Sequence, residues 1–208
     1  MLNDSSEIEV ADFGAGSTVL KTNKRVVSKM AASSLKPKKF AQLLFRLVNY
    51  YKPKNIIELG TSFGITTSYL ACANKNAQVY TLEGSTAIAD KARQNFAILN
   101  AKNIELIEGD FAKTLPDLIE KIKQVDLVFV DGNHRKIPTL QYFEQLLPYA
   151  TNDSIFIFDD IHWSKEMEEA WEIIKAHKAV TLSIDLFFIG IVWFRKDFMI
   201  KQQFSIRF

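Results

Sequence analysis

Residues Asn55–Leu70 read NIIELGTSFGITTSYL. The spacing predicts a buried strand over Ile56–Leu59, a glycine turn, and a helix starting at about Gly64. Glu58 closes the strand, and Gly60 and Gly64 bracket the turn. Glycine lacks a Cβ, so it permits positive φ and lets backbone approach a ligand closely. An acid at the carboxyl end of a first parallel strand suits hydroxyls or a cation better than phosphate. The turn therefore leans away from a phosphate cradle.

Outward from this stretch, strand and helix patterns alternate. Strands are expected at Gln78–Glu83, Ile104–Glu108, Asp126–Asp131 and Ser154–Asp159. Helices are expected over Thr86–Leu99, near Leu115–Ile122 with Thr114 as cap and Pro116 in its first turn, over Ile137–Leu147, and over Lys165–Ala176 with Ser164 as N-cap. VDLVFVD and SIFIFDD are continuously apolar, as befits strands covered by helices on both faces. Such alternation predicts a parallel, doubly wound sheet. Val180–Leu186 and Gly190–Arg195 lie too close for a helical crossover and should pair as an antiparallel hairpin. Phe204, Ile206 and Phe208 suggest either a last strand or a partner contact.

Upstream, residues 1–16 read as a flexible lead-in, and Gly14-Ala15-Gly16 lacks the preceding strand a nucleotide loop needs. A short helix is expected over Lys24–Leu35. A second begins near Pro37, carries an apolar stripe of Phe40, Leu43, Leu44, Leu47, Val48 and Tyr51, and stops at Pro53. Residues 1–53 are thus a helical extension expected to cover the site, and 54–208 the core.

The 208 residues suffice for one domain. The net charge of +2 does not by itself imply a nucleic-acid partner. The longest apolar run, Leu186–Phe194, is too short to span a bilayer, and the polar N-terminus lacks a signal-peptide pattern. Cys72 is the one cysteine, expected as a packed thiol in an apolar helix, and a reducing cytoplasm is the natural compartment.

Ligands of open α/β sheets sit beyond the carboxyl ends of the strands. Those ends carry Glu58, Glu83, Asp110, Asp131, and Asp159 with Asp160. So many like charges around one crevice need hydrogen-bond donors or a cation nearby.

ELGTSFGITTSYLA resembles the first motif of class I S-adenosylmethionine-dependent methyltransferases, especially small O-methyltransferases of the catechol, caffeoyl-CoA and antibiotic-sugar kinds. The resemblance covers residues 54–195 and includes the terminal hairpin. It implies a Rossmann-like α/β sheet of seven strands, order 3-2-1-4-5-7-6 with strand seven antiparallel, plus N-terminal helices. It further implies that Gly60, with Thr61, Ser62 and Gly64, admits the methionine part of the cofactor and that Glu58 helps fix its amino end. Thr66 matches a carboxylate-holding hydroxyl, though a plain helix-face hydroxyl is as good a reading. Glu83, followed by Gly84, would accept the ribose hydroxyls. Asp110 and Phe111 would flank the adenine.

By the same resemblance, Asp131, Asp159 and Asp160 match a metal-binding set suited to Mg²⁺ or another divalent cation. Asp160 departs from the Asn of the catechol-type enzymes. The alternative is that one of the pair binds metal or cofactor and the other caps a loop. His134, three residues after Asp131, stands where those enzymes carry a lysine base, and is either a general base or a loop histidine. His162 is a second candidate base or metal neighbour. Trp163 could wall an acceptor pocket, and Arg135 and Lys136 could meet an anionic acceptor.

The expected function is O-methylation of a small-molecule hydroxyl, with a divalent metal as an optional assistant. Nucleic acid and membrane are not expected partners, and a homodimer stays open. The rivals are a metal-free methyltransferase acting on N, O or a protein side chain, a nicotinamide oxidoreductase, which would want G-x-G-x-x-G after strand one, and a non-catalytic cofactor-binding module.

Overall fold

The computed structural model describes residues 3–10, 24–34 and 36–208. Gly14-Ala15-Gly16 lies outside the described residues. Two short strands, β1 (Glu7–Glu9) and β2 (Lys24–Val26), pair antiparallel and lead into α1 (Val27–Ser34). The expected helix over Lys24–Leu35 therefore opens as a strand, because Lys24–Val26 find a pairing edge in β1. Next comes α2 (Lys38–Tyr51), with Pro37 at its N-cap and Lys52 ending it in a left-handed conformation.

The alternating core then runs β3 (Asn55–Leu59), α3 (Ile65–Ala73), β4 (Gln78–Glu83), α4 (Thr86–Ile98), β5 (Ile104–Glu108), α5 (Phe111–Ile122), β6 (Val125–Val130), α6 (Lys136–Leu146), β7 (Ala150–Asp159) and α7 (Lys165–Ala176). The chain closes with β8 (Leu182–Asp185), β9 (Ile189–Trp193) and β10 (Gln202–Ser205). The sheet order is β10-β8-β9-β7-β6-β3-β4-β5. β9 runs antiparallel to both β7 and β8. The sheet therefore has eight strands rather than the expected seven. The eighth, β10, pairs parallel to β8 and fills an edge that would otherwise expose unpaired backbone groups.

Period-two alternation sends neighbouring residues to opposite faces. Ile57, Val128, Val130, Phe156 and Phe158 pack with Leu115, Leu118, Phe143 and Trp171 from α5, α6 and α7. Ile56, Leu127, Phe129, Ile155 and Ile157 pack with Phe40, Leu44 and Val48 of α2 and Leu70 of α3. Both faces are covered, which explains the unbroken apolar runs. α2 is thereby fixed against the sheet, and Phe40, Leu44 and Val48 are almost fully buried. A third, smaller cluster joins Val10, Val27, Met30 and Ala31 to Phe63 and Ile88, so the N-terminal pieces sit against α4 and the β3–α3 turn.

Two local expectations change. α5 starts a turn early, at Phe111, because the Asp110 side chain accepts from Ala112 N at 3.1 Å and so caps it in place of Thr114. Cys72 is exposed, on the outer face of α3, while Leu70, Ala71 and Ala73 point inward.

Candidate active site

The β3–α3 turn is built by backbone crowding. Gly60 has φ +104°, and a Cβ there would lie 2.2 Å from the Asp131 carbonyl oxygen. The ends of β3 and β6 thus touch, and only glycine fits. Gly60 N and Thr61 N both donate to Leu82 O, at 3.0 and 3.1 Å, tying the turn to β4. Gly64, at φ +76°, lets α3 lie against the Phe96 ring of α4.

Glu58 is fully buried beneath this turn. Its Oε2 accepts from Thr81 Oγ1 at 2.6 Å and from Thr67 Oγ1, while its Oε1 has no hydrogen-bond partner. Burial pushes its carboxyl up to about 7, against the pull of the two threonine hydroxyls.

One cavity opens over the strand ends. Gly60 and Ser62 of the first turn, Glu83 and Gly84 after β4, Asp110 and Phe111 at the head of α5, and Asp131 after β6 all line it. Six of the expected cofactor positions are therefore brought together with Asp131 of the expected metal set. Glu83 is held as a fork: Oε2 accepts from Ser62 N at 2.9 Å and Oε1 from Ser85 N at 3.0 Å. Asp110 caps α5 from the rim. Phe111 packs edge-on against Tyr142, with ring centroids 6.1 Å apart. Thr61 and Thr66 line a second, smaller cavity with Lys36, which shares Gly60, Ser62 and Asp131 with the first. Glu58 and Gly64 line neither and act through the turn's shape.

Sequence reading missed several wall residues. Val10 and Arg25, from the N-terminal pieces, close the cavity on one side, and Asn133 and Tyr142 on another. Asn133 Nδ2 donates to Tyr142 Oη at 3.1 Å, and its Oδ1 takes Arg135 Nε at 2.7 Å. Asn133 sits at φ +61°, a conformation asparagine tolerates better than most residues. That tolerance is the one signal that could have marked it.

The β6 and β7 ends differ from the metal expectation. Lys36 Nζ lies 3.0 Å from Asp131 Oδ2 and donates to Asp159 Oδ2. Burial alone would lower the Lys36 ammonium's pKa. The two carboxylates outweigh burial and hold it above the usual lysine value. One ammonium does not compensate two carboxylates, and burial with the neighbouring Asp159 charge raises Asp131 well above its ordinary range. Among the described residues, no group of three or more His, Cys, Asp or Glu side chains is arranged to hold a metal ion. Asp131, Asp159 and Asp160 thus do not fit a divalent cation, because an ammonium stands between the first two.

His134 Nε2 is 3.9 Å from both Asp131 Oδ1 and Asp160 Oδ2, beside the cluster but outside hydrogen-bond range. Burial lowers its pKa despite the nearby carboxylates. His162 lies elsewhere. Its Nε2 is 3.0 Å from Asp185 Oδ2 and its Nδ1 3.3 Å from Glu168 Oε1, and it stacks on Phe187. Like His134, it lines neither cavity, and Trp163 is exposed.

The fold and site define a class of Rossmann-like proteins with a crevice beyond the acid-tipped ends of a mainly parallel sheet. Residues 57–161 match the family model described as a methyltransferase domain, and the chain belongs to that family. A catechol O-methyltransferase of Niastella koreensis is 31% identical over 145 residues, covering 67% of this chain and 63% of that one. A tRNA (guanine-N(7)-)-methyltransferase of Mycoplasma mobile is 40% identical over 81 residues, covering 38% of this chain and 40% of that one. The matches thus span less than two thirds of either relative. Among solved structures, the O-methyltransferase from Bacillus cereus in complex with SAH aligns with a TM-score of 0.65 and 25% identity, over 80% of this chain and 88% of that chain. TomG from Streptomyces achromogenes, in complex with SAM, gives 0.70 and 20%, over 81% and 89%, a likeness of fold. Among the described residues no helix is long and apolar enough to cross a membrane.

Proposed function

We propose that the chain is an S-adenosylmethionine-dependent methyltransferase that methylates a hydroxyl oxygen of a small molecule. The observation that carries this reading is the Glu83 fork. Backbone donors fix the carboxylate at the cavity rim, and because a carboxylate oxygen can accept more than one hydrogen bond, the pair suits the two hydroxyls of a ribose. The residues present fit the rest of that cofactor. Phe111 offers an apolar wall and Asp110 an acceptor beside it for the adenine. Ser62, Thr66 and the open backbone at Gly60 suit the amino-acid end.

When bound, the cofactor supplies a methyl carbon on a sulfonium sulfur. In that chemistry the acceptor's O–C bond would form as the C–S bond breaks, leaving the bonding pair on sulfur. Because the donor is already reactive, the chain's main task is alignment and exclusion of water. Val10 and Arg25 support a covering role for the N-terminal pieces of the 1–53 extension that carry them, whereas α2 packs on the sheet. His134 is our candidate base, receiving the hydroxyl proton on a ring nitrogen, with Asp131 and Asp160 near enough to stabilise the imidazolium that results. His162 is left out of the chemistry because its two ring nitrogens are both engaged by carboxylates.

The catechol O-methyltransferase relative supports the small-molecule acceptor, and the SAH-bound neighbour supports the cofactor. A net charge of +2 gives little attraction for nucleic acid. The single cysteine favours a cytoplasmic setting. The test is transfer of label from methyl-labelled S-adenosylmethionine across a panel of catechols, phenols, sugars and tRNA. Labelled product from a small hydroxylic acceptor is expected. Labelling of tRNA alone, or of nothing in the panel together with no calorimetric cofactor binding, would overturn the reading.

A further inference from the structure

The carboxylates that end β6 and β7 converge on a side chain. Lys36 Nζ is 3.0 Å from Asp131 Oδ2, bonds Asp159 Oδ2, and lies over the Phe129 ring at 5.3 Å from its centroid. Its side chain is 11% exposed and that of Asp159 6%, so the contact is an interior one. The lysine is delivered there by the fold. Pro37 caps α2, and Phe40 and Leu44 anchor that helix in the core, which sets Lys36 over the carboxyl ends of β6 and β7. The same lysine lines the smaller cavity with Ser62 and Thr66, beside the main one.

A hard divalent ion would need those same carboxylate oxygens at about 2.0–2.6 Å. With the ammonium already on Asp131 and Asp159, such an ion would have to share oxygens with a like charge, and Coulomb repulsion at that range is strong in a partly buried site. We propose that Lys36 is the built-in cation of this site: its ammonium takes the place of a divalent metal, holds Asp131 and Asp159 together, and lets methyl transfer proceed without added metal. This rests on the methyltransferase reading above and deepens it. Lys36 acts through Asp131 and Asp159 and is a positioning residue. Its fixed positive charge keeps the strand-end acids from repelling one another and keeps them from drawing the approaching hydroxyl into an unproductive contact.

The experiment combines Mn²⁺ titration followed by electron paramagnetic resonance, calorimetric S-adenosylmethionine binding, and methyl transfer with and without EDTA. It uses the wild type, Lys36→Ala and Lys36→Arg. The wild type is expected to show no stoichiometric Mn²⁺ site and no loss of transfer in EDTA. Lys36→Ala should bind Mn²⁺ at least about 100-fold more tightly than the wild type, since a like charge has been removed at contact range. Its kcat should fall in EDTA and recover with Mn²⁺, and Lys36→Arg should keep metal-free turnover. A stoichiometric Mn²⁺ site in the wild type that Asp159→Asn abolishes would overturn the proposal. So would a Lys36→Ala protein that keeps kcat in EDTA and only weakens cofactor binding, which would make Lys36 a cofactor contact instead. Should Lys36→Ala fail to fold by circular dichroism, the wild-type titration and the Lys36→Arg turnover decide. Failure of the broader reading is distinguishable, because it appears as absent cofactor binding in the wild type, whereas the Mn²⁺ titrations need no cofactor.

Discussion

Replacing Glu83 with alanine should abolish tight cofactor binding while leaving the fold intact. Glu83 sits half-buried at the end of β4, each carboxylate oxygen taking one backbone N–H, from Ser62 at 2.9 Å and Ser85 at 3.0 Å. Those two bonds orient the carboxylate, whose oxygens can each accept more than one hydrogen bond. A hydrogen bond to a charged acceptor contributes about 1.5–3 kcal/mol. Two ribose hydroxyls would then contribute roughly 3–6 kcal/mol, or about 10²–10⁴ in Kd. Alanine removes both and also deprives the Ser62 and Ser85 amides of their carboxylate acceptor. Glutamine is informative because it is nearly isosteric. Its amide has one acceptor oxygen and one donor nitrogen, so one of the two backbone N–H groups must face another donor. Glu83→Gln should therefore behave more like alanine than like wild type. The assay is isothermal titration with S-adenosylmethionine and its demethylated product, with thermal melts of each variant as a check on folding. A Glu83→Ala protein with an unchanged melt and a Kd within about threefold of wild type, when about 10²–10⁴ is expected, would refute the ribose assignment.

Glu58 should make stability depend on pH. Its folded pKa of about 7 exceeds the ordinary 4.5, so the folded chain holds this proton more tightly than the unfolded chain. The contribution is therefore full below about pH 4.5 and is lost as pH rises through about 7, on the order of 3 kcal/mol in all. Glu58→Gln should flatten the decline of Tm between pH 5 and 8, and parallel curves for the two proteins would count against it. His162 works with Asp185 in a bounded window. His162 is raised because the Asp185 and Glu168 carboxylates outweigh its burial, and Asp185 is lowered by the Phe187 amide, His162 and Trp171 despite its own burial. Their stabilisation is thus present above Asp185's lowered pKa and fades as pH climbs through the raised imidazole pKa. His162→Gln should remove the alkaline limb of that dependence with methyl transfer at neutral pH retained; loss of kcat with an unchanged melt would return His162 to the catalytic machinery. Gly60→Ala places a Cβ 2.2 Å from the Asp131 carbonyl oxygen at φ +104°. It should cost about 2–3 kcal/mol, or roughly 5–10 °C in Tm, and a wild-type melt would show that the two turns can separate freely.

Taken alone, the sequence determined what short-range pattern can encode. Unbroken apolar runs marked β6 and β7 as strands covered on both faces, and the structure divides Ile155, Phe156, Ile157 and Phe158 between the two helical layers as period two requires. Ser164 capped α7 where its position promised, accepting from Met167 N at 3.2 Å. Glu83, Asp110 and Asp131 gathered around one crevice because a parallel sheet brings the carboxyl ends to the same edge, while Glu58, Asp159 and Asp160 line neither cavity. Tertiary structure decided what depends on distant segments meeting. Lys36 reaches Asp159 across 123 positions, and no periodicity near Pro37 announces it. Val10, Arg25 and Tyr142 became cavity walls, and β10 became a strand, only when another element offered an edge or a face. The sequence offered His134 as the first candidate base and His162 as the second. Packing separated them, setting one beside the strand-end carboxylates and clamping the other between Asp185 and Glu168, because a side chain's chemistry is fixed by its neighbours and those neighbours come from elsewhere in the chain.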